Sequence, residues 1–266
     1  GCEFIADPVT IPSCGDNLDR CMESIVNGFT TIFNLYEEKP TAISFAFPGP
    51  ASYKEGIVGG YLPNFPAFRD GVALGPFLEE KFGVPVFINN DGDLFAFGEA
   101  TAGIMPEINS KVAALGGSRV YRNLLGYTFG TGFGIGEVID GRLNLGNNSC
   151  VETFCIPSSV DNSIMAEDYV AIRAIVREYA RLEPAAPQGL TPKDICDIAD
   201  GKREGNSEAA RESFRIFGAA AGDAMATAVT LTDSLLVIGG GLTGAARHFM
   251  PSLLQALRST VKTING

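Results

Sequence analysis

The sequence of 266 residues has no tryptophan and a single histidine, His248. A Ser-His-Asp triad would have to use that one imidazole, and a histidine-rich zinc site cannot be built. There are six cysteines, Cys2, Cys14, Cys21, Cys150, Cys155 and Cys196, and no CxxC pair. Cys150 and Cys155 have no second pair and no neighbouring histidine, so the cysteines read as free thiols of a reducing cytoplasm. Basic residues are scarce: 20 Lys and Arg stand against 31 Asp and Glu, a net charge of −11. Such a surface repels phosphate backbones and argues against a nucleic-acid partner. It is no obstacle to a small phosphorylated ligand held by backbone N–H groups. No uncharged apolar stretch reaches the ~18 residues of a membrane span. The opening Gly1–Thr10 carries Glu3 and Asp7 with no basic region, so it does not read as a signal peptide. Together these absences predict a cytoplasmic protein without membrane contact.

What is present alternates between strand and helix. A helix is predicted from about Asn17 to Tyr36, capped by Asp16 or Asn17, with Leu18, Cys21, Met22, Ile25, Phe29 and Ile32 on one face. Thr41–Phe47 is a β-rich run ended by Pro48-Gly49-Pro50, and Val84–Ile88 is a second apolar strand after a helix over 72–82. A further helix runs through Glu99 to about Gly103. Phe65, Phe68 and Phe77 read as core, and Glu37-Glu38 and Glu79-Glu80 as solvated helix faces. Character changes near Gly116-Gly117-Ser118. A strand over 124–129, a glycine-rich stretch, a strand over 137–140 and an Asp140-Gly141 turn suggest the antiparallel opening of a second α/β domain. Helices follow at about 166–182, 192–200 and 208–231. A buried strand of parallel type then covers 235–238, and a final helix runs over about 245–260.

Three stretches can carry chemistry. In Asn89-Asn90-Asp91-Gly92-Asp93, beyond the carboxyl end of a strand, Asp91 can accept a proton from a substrate hydroxyl and Asn90 can bond a neighbouring one. A plain helix N-cap is the other reading. A calcium loop fails, because its sixth and twelfth places would be Leu94 and Ala100. In Gly130-Thr131-Gly132-Phe133-Gly134-Ile135-Gly136, alternate glycines let backbone N–H groups approach an anion, or merely form a bulged hairpin. Gly239-Gly240-Gly241, between strand and helix, either admits a flat base or phosphate or makes a tight packing turn. His248 reads as a packing or surface residue rather than a base.

Taken in order, these stretches resemble the ROK family of sugar kinases and repressors, over essentially the whole chain. The parts that carry the resemblance are Phe47-Pro48-Gly49-Pro50, Asn90-Asp91-Gly92-Asp93 with Glu99, Gly130–Gly136 and Gly239–Gly241. The resemblance implies an α/β protein of the actin-like ATPase (ribonuclease H-like) fold, with two α/β lobes and an interlobe cleft. The small N-terminal lobe, without its first strands, would be 1–118 and the large C-terminal lobe 119–266. It implies ATP-dependent phosphorylation of a hexose hydroxyl, with glucose as the default substrate. ATP and Mg²⁺ would be the cofactors, ATP and the sugar the small-molecule partners, and a homodimer an expected assembly. Asp91 would be the catalytic base. Gly49, Asn90, Glu152 and Glu167 would contact the sugar, with Cys155 standing where the family has a histidine. Gly130, Thr131 and Gly132 would hold phosphate, and Gly239, Gly240 and Gly241 would lie against the adenosine. The family's zinc-binding cysteine cluster is missing from Ile156–Ser163, so no structural zinc is expected. In the family an Asp-x-Gly-Gly-Thr phosphate loop stands upstream of the position of Gly1 and further helix follows that of Gly266, so the resemblance implies either a fragment or a truncated relative. The other implied readings are a non-catalytic sugar-binding regulator and an N-acetylhexosamine kinase.

Overall fold

A computed structural model describes residues 7–35, 37–49, 51–147 and 151–265. Pro50 and Cys150, each part of a motif above, lie outside the described residues. The chain packs as two compact units, one of Gly1–Leu94 with Gly146–Ser149, the other of Phe95–Leu145 with Cys150–Gly266.

In the first unit, α1 (Leu18–Phe33) starts where the Asn17 side chain accepts from the Arg20 N–H at 3.0 Å. Strand β1 (Ile43–Ala46) precedes a short antiparallel pair, β2 (Ala51–Ser52) with β3 (Ile57–Val58). Then come α2 (Leu74–Phe82), closed by Gly83 at φ +67°, and β4 (Val86–Asn89). Strands β1 and β4 pair in parallel, Ile43 with Val86 through Ala46 with Asn89, so both chains leave the pair at one edge. Phe47, Phe68, Leu74, Leu78 and Ile88 form the core beneath. Phe65 packs against this core, whereas Phe77, expected inside, is exposed on the outer side of α2. Glu79 does more than face solvent, since its carboxylate accepts from the Val86 N–H at 3.1 Å and ties α2 to β4.

Helix α3 (Asp91–Thr101) follows β4 directly. Helix α4 (Ile104–Ala114) comes next, in a stretch where no helix was expected. Packing divides the chain within α3, earlier than the change of sequence character at 118. The reason is apolar burial: Ala96, Ala100 and Met105 share a core with Leu124 and Val138 of the second unit. That unit is built on β5 (Leu124–Phe129), β6 (Phe133–Ile139) and β7 (Arg142–Leu143). Its helices are α5 (Glu167–Val170), α6 (Ile172–Leu182), α7 (Pro192–Ala199) and α8 (Ser207–Thr232), followed by β8 (Leu235–Gly239) and α9 (Ala246–Leu257). The sheet order is β7-β6-β5-β8, with β5 antiparallel to β6 and parallel to β8. Strand β5 is therefore hydrogen-bonded on both sides and almost wholly buried, whereas β8 lies at the sheet edge and is half-buried along its length.

Two sequence expectations change here. The helix expected over 166–182 is broken at Ala171, which takes an extended conformation (φ −89°, ψ 162°) between α5 and α6. The glycine-rich stretch is mostly strand. Only residues 130–132 turn, while Gly134 and Gly136 lie in β6 paired with Thr128 and Gly126. The main core gathers Phe129, Phe133, Phe214, Phe217 and Phe249 with many alanines of α8. Helices α8 and α9 meet at backbone distance, because a Cβ at Gly218 would overlap the Phe249 carbonyl and one at Gly222 would lie 2.7 Å from Ala256 Cβ.

Candidate active site

The first group of site residues stands at the carboxyl edge of the β1–β4 pair. Asn90 is the N-cap of α3: its side-chain oxygen accepts the Gly92 N–H at 2.8 Å. Asp91 is the first helical residue, exposed, and its own carboxylate accepts the same N–H at 3.0 Å. Asp93, one turn edge further and partly buried, is different. Burial and then the charge of Asp91 push its pKa up to about 6.

Tyr53 joins this edge without any signal in the sequence. Its buried hydroxyl donates to the Phe47 carbonyl at 3.0 Å and accepts from Asn90 Nδ2 at 3.5 Å, linking the loop after β1 to the loop after β4. Gly49 fits beneath it, since a Cβ there would lie 2.8 Å from the Tyr53 hydroxyl.

The second group belongs to the second unit and centres on the turn between β5 and β6. All three of its carbonyls are engaged. Gly130 O accepts from the Ile172 N–H at 2.9 Å, Thr131 O from Arg173 Nη1 at 3.2 Å, and Gly132 O from the Gly130 N–H at 3.2 Å. The N–H groups of Thr131 and Gly132 have no partner among the described residues, and Thr131 is exposed. A turn that commits its acceptors inward and leaves adjacent donors outward is chemically suited to phosphate oxygens. Nucleotide phosphate fits this donor set. Among the described residues, the carboxylates nearest in the network, Glu167 and Asp168, are both paired with Arg173.

Glu167 is drawn into this turn. One oxygen accepts the Phe133 N–H at 3.1 Å and the other accepts Arg173 Nη2 at 2.9 Å. A Cβ on Gly132 would come within 2.9 Å of the Glu167 carboxylate, which is why the turn takes glycine there. Glu152 is half-buried on the segment after β7. Burial raises the Tyr127 hydroxyl pKa well above its ordinary value. The neighbouring Thr153 hydroxyl offsets part of that rise, and the charges of Glu137 and Glu152 add to it. Asn144 donates to Glu137 in the same buried cluster.

The segment after Glu152 is tied without cysteine or histidine. Glu167 N–H bonds Phe154 O at 3.0 Å, Ala166 N–H bonds Ile156 O at 2.8 Å, and Ser158 N–H bonds Ile164 O at 2.8 Å. Among the described residues the one His/Cys/Asp/Glu group with converging donor atoms is Cys196, Asp200 and His248. There Asp200 is already bonded to Arg247, Lys202 and His248, and these hydrogen bonds, Arg247's first, hold its carboxyl far below the usual range. His248 stacks on Phe214 and bonds Asp200 at 2.8 Å, a packing role.

At Gly239–Gly241 packing explains two of the three glycines. A Cβ on Gly239 would strike the Phe95 ring at 2.6 Å, and Gly240, at φ +90°, lies against the backbone of Phe129. Gly241 faces open space.

With this geometry in place, comparison with known proteins is decisive for the family, which matches residues 16–265. The chain belongs to the ROK family. A glucokinase of Streptomyces coelicolor is 27% identical over 186 residues, which is 62% of this chain and 54% of that protein. The chain thus spans about half the length of that relative. The crystal structure of a glucokinase from Parabacteroides distasonis superposes with a TM-score of 0.88 at 52% identity, covering 95% of this chain and 71% of that one. A ROK glucokinase from Streptomyces griseus, in complex with glucose and AMPPNP, shares the fold at a TM-score of 0.64 and 20% identity, covering 91% of this chain and 79% of that one. The ROK fold of this chain is the actin-like ATPase architecture in its mixed α/β form.

Proposed function

We propose that this ROK chain carries the sugar- and ATP-binding residues of a cytoplasmic hexose kinase, with glucose as the default substrate. The observation that supports this most is the β5–β6 turn, whose three carbonyls are engaged while two adjacent N–H groups stand open for phosphate oxygens. Phosphoryl transfer asks little covalent chemistry of a protein and depends on positioning and charge neutralisation. Mg²⁺ bound with the nucleotide would neutralise phosphate charge.

In this reading Asp91 is the general base. Its exposed carboxylate takes the proton of the attacking sugar hydroxyl, the oxygen bonds the γ-phosphorus, and ADP leaves. Asn90, fixed by its own capping bond and by Tyr53, offers its amide N–H to a neighbouring hydroxyl. Gly49 leaves room for the sugar at the same edge. Glu152 and Glu167 accept further hydroxyls, Glu167 through lone pairs left beside Phe133 N–H and Arg173. Gly130, Thr131 and Gly132 hold phosphate, and Gly239–Gly241 face the adenosine, with Gly241 the one free of packing demands.

The test is a coupled ADP-release assay of the full-length protein over a panel of glucose, mannose, fructose and N-acetylated hexoses. ADP release with a free hexose supports the reading. Preference for an acetylated sugar reassigns it to N-acetylhexosamine kinases. Calorimetry that shows sugar binding without ATP binding makes the chain a sugar-sensing regulator.

A further inference from the structure

Arg173 has no part in the residue assignments above, yet its guanidinium bonds both the phosphate turn and the carboxylate beside it. It sits at the start of α6, directly after the extended break at Ala171. Its Nη1 donates to the Thr131 carbonyl at 3.2 Å. Its Nη2 donates to Glu167 Oε1 and to Asp168 Oδ1, both at 2.9 Å, and its Nε donates to the same Asp168 oxygen at 3.2 Å. The other oxygen of Glu167 holds the Phe133 N–H, and the Ile172 N–H holds Gly130 O. The break between α5 and α6 thus grips the turn from both ends. Arg173 fixes the middle carbonyl and also orients the carboxylate that fixes the far end.

We infer that Arg173 is a positioning residue for nucleotide phosphate: it holds the Thr131 carbonyl so that the Gly132 N–H of the same peptide plane faces the ligand, beside the Thr131 N–H whose peptide is set by the Ile172–Gly130 bond. This deepens, and rests on, the kinase reading above. The planar fork of a guanidinium suits the task, since its four bonds leave three nitrogens in fixed directions, whereas an ammonium is a point donor on a flexible stem. The side chain is about half exposed (46%). Ion pairs at such exposure contribute little to stability, so these contacts are better explained by geometry imposed on the turn than by stability.

Three variants of the full-length protein test this: Arg173→Ala, Arg173→Lys and Asp168→Asn. Arg173→Ala is expected to raise KM for ATP about tenfold, the loss of roughly one charge-assisted hydrogen bond. The KM for hexose should rise by less, through the lost Arg173 bond to Glu167, and the melting temperature should stay near wild type. Added guanidinium at non-denaturing concentration should recover part of the ATP affinity, Arg173→Lys should recover part, and Asp168→Asn should shift in the same direction by less. Amide exchange at Phe133 of the ligand-free protein, whose N–H is held by the Arg173-oriented Glu167, should accelerate in Arg173→Ala. Unchanged ATP KM and unchanged exchange in Arg173→Ala would overturn the inference. So would an equal rise in both KM values without rescue, which marks a merely structural residue. A wild-type protein that releases no ADP with any hexose overturns the kinase reading instead, and the ligand-free exchange comparison still decides whether Arg173 fixes the turn.

Discussion

Asp91 and Asp93 stand two residues apart on the first turn of α3, and their surroundings separate them. Asp91 is exposed at the helix start, while Asp93 is partly buried with its pKa pushed up to about 6. For Asp93 the folded value lies above the unfolded one near 3.9. The folded state therefore binds the extra proton between the two values, and its stability falls as pH rises through that window. Asp93→Asn removes this loss. The variant should melt higher than wild type at pH 7.5, and the two melting temperatures should converge near pH 4, as read by thermal scans across the range. Asp91→Asn should keep hexose binding measurable by calorimetry while turnover falls by ~10²–10⁴, the usual contribution of a general base. Turnover within a fewfold of wild type would remove Asp91 from that role. The pairing of amide and carboxylate at 90 and 91 was legible in the sequence, because residue type and position after a strand define it. Tyr53 and Arg173 were not. A lone tyrosine in a loop, and an arginine at a helix start six residues beyond Glu167, carry no local pattern, and only the fold brings them to Asn90 and Thr131.

At the scale of elements, the hairpin shows where composition misleads. Four glycines in seven residues placed the second strand only at 137–140, yet β6 starts at Phe133 and absorbs two of them by pairing with β5. Cross-strand partners decide this, and they lie outside the local run. Helix α4 was missed for a similar reason, since Pro106 near its start and the glycines after it obscure an otherwise amphipathic turn sequence. The strand–helix alternation, the capping of α1 and α7 and the long α8 were legible, because periodicity and capping residues are local signals. The closeness of α8 to α9 gives a sharp prediction. Gly218→Ala places a methyl against the Phe249 carbonyl. It should cost about 1–3 kcal/mol by overpacking, seen as a lower denaturation midpoint with an unchanged m-value. At Gly98, where a Cβ meets nothing, alanine should be neutral or mildly stabilising.

For the molecule as a whole, charge is the dominant feature. If every one of the 20 basic residues found a partner among the 31 acidic ones, 11 carboxylates would still lack one. Self-repulsion should then outweigh the attraction of the exposed ion pairs, most of which are salt-screened surface contacts. Raising NaCl from 0.05 to 0.5 M should raise the melting temperature; a fall would mean that the ion pairs dominate. The division of the chain into two compact units followed from apolar packing of α3 and α4, which a reading by sequence character cannot weigh. A mechanical consequence follows from the position of β5. In the kinase reading, the turn assigned to phosphate is the tip of a strand clamped by a ladder on either side, parallel to β8 and antiparallel to β6. A pull on Thr131 along the strand axis loads the β5–β8 ladder in shear, all its bonds at once, rather than peeling them singly. The turn can thus bear the tug of a departing polyanion without unravelling the sheet that carries it.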